Sequence, residues 1–209
     1  IGPAAQYSHS SKSHSLVGAF SSGIIRDSAD TFIDNNGEET SSTRGFAEWR
    51  HRHQIGKRLQ LRTSLSYWSD SEVTLDFREP YFNKNRRPDN FTEASYLGNN
   101  YLVSAFGRFD SGNFHLTQQR IPEIRLDIFP NPLWTTGAYH SGSASYSLLR
   151  EDFIEPFING INPILIDTEY TQYQRLEINY NIQRPLRLKD WITLTPLAST
   201  RLTHYQNQK

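Results

Sequence analysis

Strict alternation of apolar and polar residues is the feature that most constrains the fold of this chain. Between residues 59 and 67 every odd position is Leu, Thr or Tyr, and every even position is Gln, Arg or Ser. Residues 123–128 and 175–182 follow the same rule, with charged or amide side chains between Leu, Ile and Tyr. Successive side chains of a strand point to opposite faces, whereas a helix would gather neither set on one side. These segments are therefore predicted to be strands with one apolar and one polar face.

Weaker alternation extends this pattern along the chain, and turn-forming residues separate the segments. Hairpin turns are expected at 98–100 and 110–113, loops at 30–42, 82–90 and 152–167, and no helix of three turns is expected. Strands are predicted at 13–26, 42–55, 58–69, 91–98, 101–110, 122–129, 135–149, 168–184 and 189–205. The last three greatly exceed the usual length of about 5–6 residues.

Long antiparallel strands joined by alternating short and long connections are typical of a transmembrane β-barrel. Aromatic residues fall near the predicted strand ends, where the interfacial girdles of a barrel would lie: Tyr67, Trp68, Tyr101, Phe109, Trp134, Tyr170, Tyr173, Trp191 and Tyr205. A half-buried sheet in a soluble protein produces the same alternation, so the pattern alone leaves both architectures open.

The composition excludes several functional classes. Lys and Arg number 22, as do Asp and Glu, so no bulk charge favours nucleic acid. A mean hydropathy of −0.66 and the lack of any apolar run near 18 residues exclude a helical membrane protein. The chain contains no Cys, so it has neither a disulfide framework nor a cysteine-based zinc site. It also contains no Met and begins at Ile1, which we interpret as the sign of an excised or processed section.

Few residues suggest catalysis or metal binding. His51 and His53 place two imidazoles on one strand face, but no motif supplies a third ligand, so no metal site is predicted. Two carboxylate clusters could in principle form an acid–base pair, but both fall in loop-like segments and are predicted to be solvated: Glu151, Asp152 and Glu155, and Asp76 and Glu79. No nucleophile elbow or phosphate-binding glycine loop is present.

An ordered series of segments resembles a known family. Residues 86–129 read RRPDNFTEASYLGNNYLVSAFGRFDSGNFHLTQQRIPEIRLDIF, after an aspartate- and aromatic-containing loop at 69–83. The strand opening Arg120-x-Pro122-Glu123-Ile124 is followed by family-like segments at 139–151, 174–186 and 191–205. Together these motifs resemble the barrel domain of the LptD (OstA, Imp) family of outer-membrane lipopolysaccharide-assembly proteins. The resemblance covers residues 46–206.

The resemblance implies an all-β chain of long antiparallel strands, forming one β-barrel-type domain over 1–209. It also implies that this domain is an incomplete, early-to-middle section of a larger transmembrane barrel. The family's periplasmic domain, its cysteines and the terminal strands that form its lateral gate have no counterpart here, so no gate residue can be assigned. The implied location is the outer membrane of a Gram-negative bacterium.

The implied function is non-catalytic insertion of lipopolysaccharide into the outer leaflet, with the sugars passing through a hydrated lumen. Implied partners are lipopolysaccharide, an LptE-type lipoprotein plug, outer-membrane lipid and periplasmic Lpt bridge proteins that bind the missing domain. No cofactor, metal, catalytic residue or nucleic acid is expected.

The alternation assigns side chains to the two faces of such a wall. The polar set is predicted to face the lumen: Gln60, Arg62, Ser64, Ser66, Glu123, Arg125, Asp127, Arg175, Glu177, Asn179 and Asn181. The apolar set is predicted to face lipid or a core: Leu59, Leu61, Leu65, Ile124, Leu126, Ile128, Leu176, Ile178, Tyr180 and Ile182. The Arg and acidic side chains could contact phosphorylated sugars or the plug, or merely solvate the wall.

Two alternatives from other classes remain open at this point. The chain could be a soluble β-sandwich that binds carbohydrate through aromatic and charged residues. It could also be a β-rich hydrolase that uses the carboxylate clusters, in which case replacing Glu151 or Glu155 would abolish hydrolysis. A chain that purifies as a soluble monomer without detergent would contradict the membrane-barrel interpretation.

Overall fold

A computed structural model describes residues 3–13, 15–26, 41–70, 72–84, 89–109, 118–152 and 170–208. They form one antiparallel ten-stranded sheet in the order β1-β2-β3-β4-β5-β6-β7-β8-β9-β12, and a separate two-stranded ribbon, β10-β11. The prediction of an all-β fold with long antiparallel strands is confirmed. The sheet is open, as expected of a section of a larger barrel.

The strands of the large sheet are mostly longer than those of soluble domains. Their bounds are β1 Ala4–Ser10, β2 Leu16–Arg26, β3 Thr43–Ile55, β4 Leu59–Trp68, β5 Asn90–Leu97, β6 Tyr101–Phe109, β7 Gln119–Pro132, β8 Tyr139–Asp152, β9 Tyr170–Gln183 and β12 Leu197–Gln208. The strands β7, β8 and β9 each contain 14 residues.

The sequence-based strand assignment is wrong in two places. It missed β1, whose sequence AAQYSHS lacks an alternating apolar face. It also joined residues 189–205 into one strand, whereas the chain forms the ribbon β10 (Leu186–Lys189) and β11 (Ile192–Leu194) before β12. Pro185 and Pro196 lie at the two ends of the ribbon, where strand pairing is interrupted. Proline lacks the N–H that a ladder requires, which explains both interruptions.

One helix, α1 (Val73–Phe82), lies between β4 and β5 and was not predicted. Its regular geometry is interrupted at Arg78, whose φ of −144° and ψ of 46° are not helical, and Pro80 follows within the same element. Neither half reaches three turns, so the element lacks the sustained period that identifies a helix in sequence. Among the described residues, no helix is long and apolar enough to cross a membrane.

The connections differ at the two ends of the sheet. One end, called the short-turn end, carries the tight connections 56–58 and 98–100, together with 133–138. Gly56 adopts a φ of +62°, which lets the chain reverse between β3 and β4 without the strain that a side chain would add. The opposite end, called the long-connection end, carries α1 and the connections β2–β3, β6–β7 and β8–β9. The predicted turn at 98–100 is confirmed.

Several predicted features lie wholly or partly outside the described residues. These are the loops at 30–42 and 82–90, the turn at 110–113, the loop at 152–167 with Glu155, and the side chains of Asp152 and Tyr170.

Candidate functional site

The strand register brings the whole polar set onto one face of the sheet. Residues directly opposite each other in an antiparallel pair project to the same side. The row that starts at Arg62 in β4 reaches Glu123 in β7 and Arg175 in β9 through directly opposed residues of the intervening strands. The remaining members alternate with these along their own strands, so the polar set shares a single surface, here called the polar face.

The apolar set lies on the other side, here called the apolar face. Leu126 pairs with Ala144, which pairs with Ile178, which in turn pairs with Leu202. The assignment of the two sets to opposite faces thus agrees with the register. The register fixes the face on which each side chain lies but does not by itself identify what the polar face borders.

Burial is inverted relative to a soluble sheet. On the polar face Ser147 is fully buried, whereas on the apolar face Ile124 retains 52% of its accessible surface. Leu126, Ile128, Leu176, Ile178 and Tyr180 on the same face are also exposed to more than a third, while Ile182 is half-buried. A sheet in water would bury these apolar residues, because each exposed Leu or Ile forgoes roughly 1.5–3 kcal/mol. This surface therefore requires a non-aqueous neighbour.

Ion pairs neutralise the polar face across β7, β8, β9 and β12. Glu123 accepts from Ser147 Oγ at 2.9 Å and lies 3.7 Å from Arg175 and 3.4 Å from Arg120. Further along, Arg125 pairs with Asp127 at 2.7 Å, and Arg201 of β12 pairs with Glu177 at 3.0 Å. Each arginine on this half of the polar face therefore has a carboxylate partner.

Residues 69–70 and 72–84, together called segment 69–84, fold back onto the polar face at the long-connection end. Arg44, at the start of β3, is 3% exposed and holds this segment in place. Its Nε and Nη2 donate to the two oxygens of Asp70 at 2.9 and 2.6 Å, while Nη1 donates to Asp76 of α1 at 2.6 Å. One buried guanidinium thus fixes both the start and the first turn of the segment.

Asp70 itself lies outside the strands and is almost completely buried. Burial acts to raise the pKa of Asp70, but hydrogen bonds from Arg44 and from Ser69 Oγ act in the opposite direction and dominate. The backbone N–H of Glu72 also donates to this carboxylate at 3.0 Å. The pKa of Asp70 is consequently held below its ordinary range, so the carboxylate stays charged at neutral pH.

A second attachment is formed by Arg78, at the break in α1. Its guanidinium lies 4.3 Å from the ring centroids of both Phe46 and Tyr81, and its Nη1 lies 3.1 Å from Glu48. Glu48 is 4% exposed and also accepts from Ser21 Oγ at 3.2 Å. Buried carboxylates are rarely found without such partners. This attachment could not be predicted from the sequence, because its partners are far apart in the chain and α1 has no recognisable period.

Next to this segment, β4 extends beyond the start of β5. The backbone N–H of Ser66 donates to the side-chain oxygen of Asn90. Asn90 is 2% exposed, so its buried side-chain oxygen and this backbone N–H satisfy each other. The departure of segment 69–84 from the sheet is thereby accommodated.

The aromatic girdle expected from the sequence is only partly present. Tyr67 and Tyr101 are exposed on the apolar face, but Trp68 lies opposite Phe46 on the polar face and is 3% exposed. Tyr173 and Tyr205 also lie on the polar face, where their rings are 5.9 Å apart. The girdle assignment of these three was wrong, because nearness to a strand end does not fix the face on which a side chain lies.

The histidines form an aromatic row rather than a metal site. His51 lies on the apolar face, with its ring centroid 5.5 Å from Trp49, 6.1 Å from His53 and 5.9 Å from His9. Within the described part of the chain, no group of three or more His, Asp or Glu side chains is arranged to hold a metal ion.

The carboxylate clusters have structural partners. Asp76 binds Arg44, while Glu79 is exposed on α1. Glu151 accepts from Tyr173 Oη at 2.8 Å and from the amide of Gln118. These contacts account for Asp76 and Glu151 without acid–base chemistry.

Comparison with models of known protein families identifies one family that matches this chain. The model of the family described as LptD, LPS transport system D, matches residues 42–209. This range begins one residue before β3 and includes every member of the polar set. No curated protein matches the chain.

Proposed function

The chain belongs to the LptD family, and from this premise we propose how its sheet contributes to lipopolysaccharide transport. Members of the family act in lipopolysaccharide transport and assembly at the Gram-negative outer membrane and are non-catalytic. We propose that the polar face lines a hydrated lumen past which the saccharide part of lipopolysaccharide moves. The apolar face contacts the hydrocarbon of the membrane.

The observation that carries this proposal is the inverted burial of the two faces. In β7 and β9, exposed Ile, Leu and Tyr side chains lie on the apolar face, whereas Ser145 and Ser147 of β8 are buried on the polar face beside ion pairs. An outward apolar band and a polar interior are the arrangement of a membrane barrel wide enough to hold water. The edges of the described sheet, at β1 and β12, would be intolerable in hydrocarbon, so this sheet is one section of a larger closed barrel.

The connections supply an orientation. Outer-membrane barrels have short periplasmic turns and longer extracellular loops. The short-turn end, with 56–58 and 98–100, would then face the periplasm, and the long-connection end would face outward. Segment 69–84 would consequently lie inside the barrel at its extracellular end, where it narrows the exit of the lumen.

The partners follow from the same premise. Lipopolysaccharide is the transported molecule, and an LptE-type lipoprotein would occupy part of the lumen. The periplasmic Lpt bridge proteins would deliver the glycolipid from the short-turn end. Ion-paired side chains such as Arg175 and Glu177 can exchange partners with a passing polar group at little cost, which suits transient contact.

Site-specific photocrosslinking in cells tests the proposal. A photoreactive residue at Ser104 or Asn179 of the intact protein should yield adducts that react with an antibody against lipopolysaccharide. Val103 and Ile178, the neighbouring positions on the apolar face, serve as matched controls. The outer leaflet itself contains lipopolysaccharide, so their adducts should persist when delivery of new lipopolysaccharide is stopped, whereas the adducts at Ser104 and Asn179 should disappear. Equal dependence on delivery at all four positions, or adducts at the controls alone, would reject the assignment of the faces.

The alternative of a soluble carbohydrate-binding sandwich makes a different prediction. Such a protein would cover the apolar face with a second sheet and would remain monodisperse without detergent. None of the described strands packs on that face, since all ten strands of the large sheet lie in one layer. Size-exclusion chromatography of the intact protein with and without detergent separates the two, and a monodisperse detergent-free monomer would favour the sandwich.

A further inference from the structure

Three arginines occur together on the polar face where β3 pairs with β4. Arg52 and Arg62 lie directly opposite each other, and Arg50 lies opposite Ser64 one pleat further along. They line a cleft of about 580 Å³ together with Ser8 of β1 and Phe91 of β5. All three are exposed, so a solute on the polar face can reach them.

The charge of this cluster is not neutralised by the protein. Arg62 approaches Glu93 at 3.5 Å, but in the described ranges neither Arg50 nor Arg52 has a carboxylate within ion-pair distance. Arg50 donates to Tyr81 Oη at 3.4 Å, and Arg52 Nη2 lies 3.2 Å from the side-chain amide group of Gln60. Three guanidinium groups therefore face one carboxylate.

The other half of the polar face shows that this excess is local. There Arg125 pairs with Asp127, Arg201 pairs with Glu177, and Arg120 and Arg175 share Glu123, so every arginine lies within ion-pair distance of a carboxylate. Like charges placed directly opposite each other destabilise a sheet, so the Arg52–Arg62 pair is unfavourable for folding. An anion bound between them would remove that repulsion.

The geometry points to a phosphate-binding subsite. We propose that Arg50, Arg52 and Arg62 bind a phosphate group on the saccharide part of the transported glycolipid. This inference rests on the proposed function. Guanidinium groups bind phosphate oxygens in pairs, through parallel hydrogen bonds. Two uncompensated positive charges match a phosphate dianion, and the hydroxyls of Ser8 and Ser64 in the same cleft can donate to its remaining oxygens.

A phosphorylated sugar fits this site better than an acidic protein surface does. The cleft has the volume of a small-molecule pocket, and the ring of Phe91 lies 5.8 Å from the Arg62 guanidinium, beside the place where a sugar would lie. The site also lies below segment 69–84, to which Arg50 is joined through Tyr81. A phosphate bound there would lie between the short-turn end of the polar face and the extracellular end of the lumen, along the proposed route of the saccharide.

The test compares two ligands with the intact protein in complex with its plug. The ligands are lipopolysaccharide and the same lipopolysaccharide whose sugar phosphates have been removed. Replacing Arg50, Arg52 and Arg62 together by Gln should weaken binding of the phosphorylated ligand at least tenfold and leave the dephosphorylated ligand within about twofold. R187Q, which breaks an exposed ion pair with Asp190 in the β10–β11 ribbon, is the control and should change neither.

The possible outcomes test the phosphate subsite and the proposed transport function separately. If the triple variant binds both ligands equally more weakly, or binds neither more weakly, the phosphate subsite is wrong but the proposed transport function still stands. Failure of the wild-type protein to bind either ligand would instead overturn the proposed function. Loss of the plug from the triple variant without a change in ligand preference would reassign the cluster to a protein contact. R52Q also removes the Arg52–Arg62 repulsion, so this single variant should fold at least as well as wild type and show the ligand preference in part.

The source of the phosphate is resolved by competition. Inorganic pyrophosphate should displace phosphorylated lipopolysaccharide from the wild type but not affect the triple Gln variant. Vesicles of phosphatidylglycerol should not compete if the saccharide phosphate is the ligand, because the polar face lines the lumen of the barrel and a vesicle is too large to reach it. Competition by vesicles alone would contradict the proposal.

Discussion

Arg44 and Asp70 form a two-point ion pair, in which Nε and Nη2 of the guanidinium each donate to a different oxygen of the carboxylate. Both side chains are at least nine-tenths buried, although Arg44 belongs to β3 and Asp70 belongs to the segment that follows β4. The pair therefore controls whether segment 69–84 stays on the polar face.

Replacing Asp70 by Asn should detach this segment. The change leaves the buried Arg44 with Asp76 as its remaining charged partner, and breaking a buried pair costs roughly 3–5 kcal/mol. Hydrogen–deuterium exchange should rise at residues 72–84 with little change in β7–β9. D76N, whose carboxylate is 41% exposed, is the matched control and should have a clearly smaller effect. Unchanged exchange in D70N would contradict the role of the pair.

Acid should detach the same segment. The pKa of Asp70 in the docked state lies below its ordinary value of 3.8. The stabilisation is thus fully present above that value and is lost as the pH falls through the lowered pKa. Exchange at residues 72–84 should therefore be constant from neutral pH down to the ordinary value of 3.8, and should rise, once corrected for its intrinsic rate, only at lower pH. D70N should show no such transition, and a transition near pH 6 would point to a different group.

Replacing Arg78 by Ala should weaken the second attachment. The variant loses the contacts with the Phe46 and Tyr81 rings and leaves Glu48 buried without its cation, at a cost of roughly 2–4 kcal/mol. Thermal unfolding of the refolded protein should move to lower temperature. R78K keeps the charge but not the planar stacking and should be intermediate, whereas R187A on the exposed ribbon should match wild type. If R78K is as stable as wild type, the stacking contributes little.

A charge on the apolar face should impair membrane insertion. Ile178 lies in the middle of β9, and Lys at the bilayer midplane of a barrel costs roughly 2–4 kcal/mol. I178K should therefore insert into lipid vesicles less completely, as measured by heat-modifiable migration after refolding. N179K places the same charge one residue further on, on the polar face, and should insert normally. Equal insertion of the two variants would contradict the assignment of the faces.

The sequence predicted the sheet and its faces better than it predicted the contacts on the polar face. Alternation in β4, β7 and β9 was sufficient to place Arg62, Glu123 and Arg175 on one side, because side-chain direction in a strand depends only on parity. Segment 69–84 could not be predicted in this way. Its helix is interrupted at Arg78, and its attachment joins Arg44 to Asp70, which are 26 residues apart and carry no local signal.

The arginine cluster was only partly visible in the sequence. Arg62 was assigned to the polar set, but Arg50 and Arg52 were assigned to neither face. Their relation to Arg62 depends on the register of β3 against β4, which the turn at 56–58 fixes. A shift of one residue would have placed them among the histidines, so only the paired structure shows which charges meet.

The order of the strands has a consequence for how the chain folds. Each strand from β1 to β9 pairs with the next in sequence, and β12 joins β9 after the ribbon, which is itself a local hairpin. Each pairing closes a loop between neighbours, so the sheet can grow one hairpin at a time without threading any segment past another. Segment 69–84 docks on Arg44, Phe46 and Glu48 of β3, so its attachment requires only that the hairpin of β3 and β4 has formed.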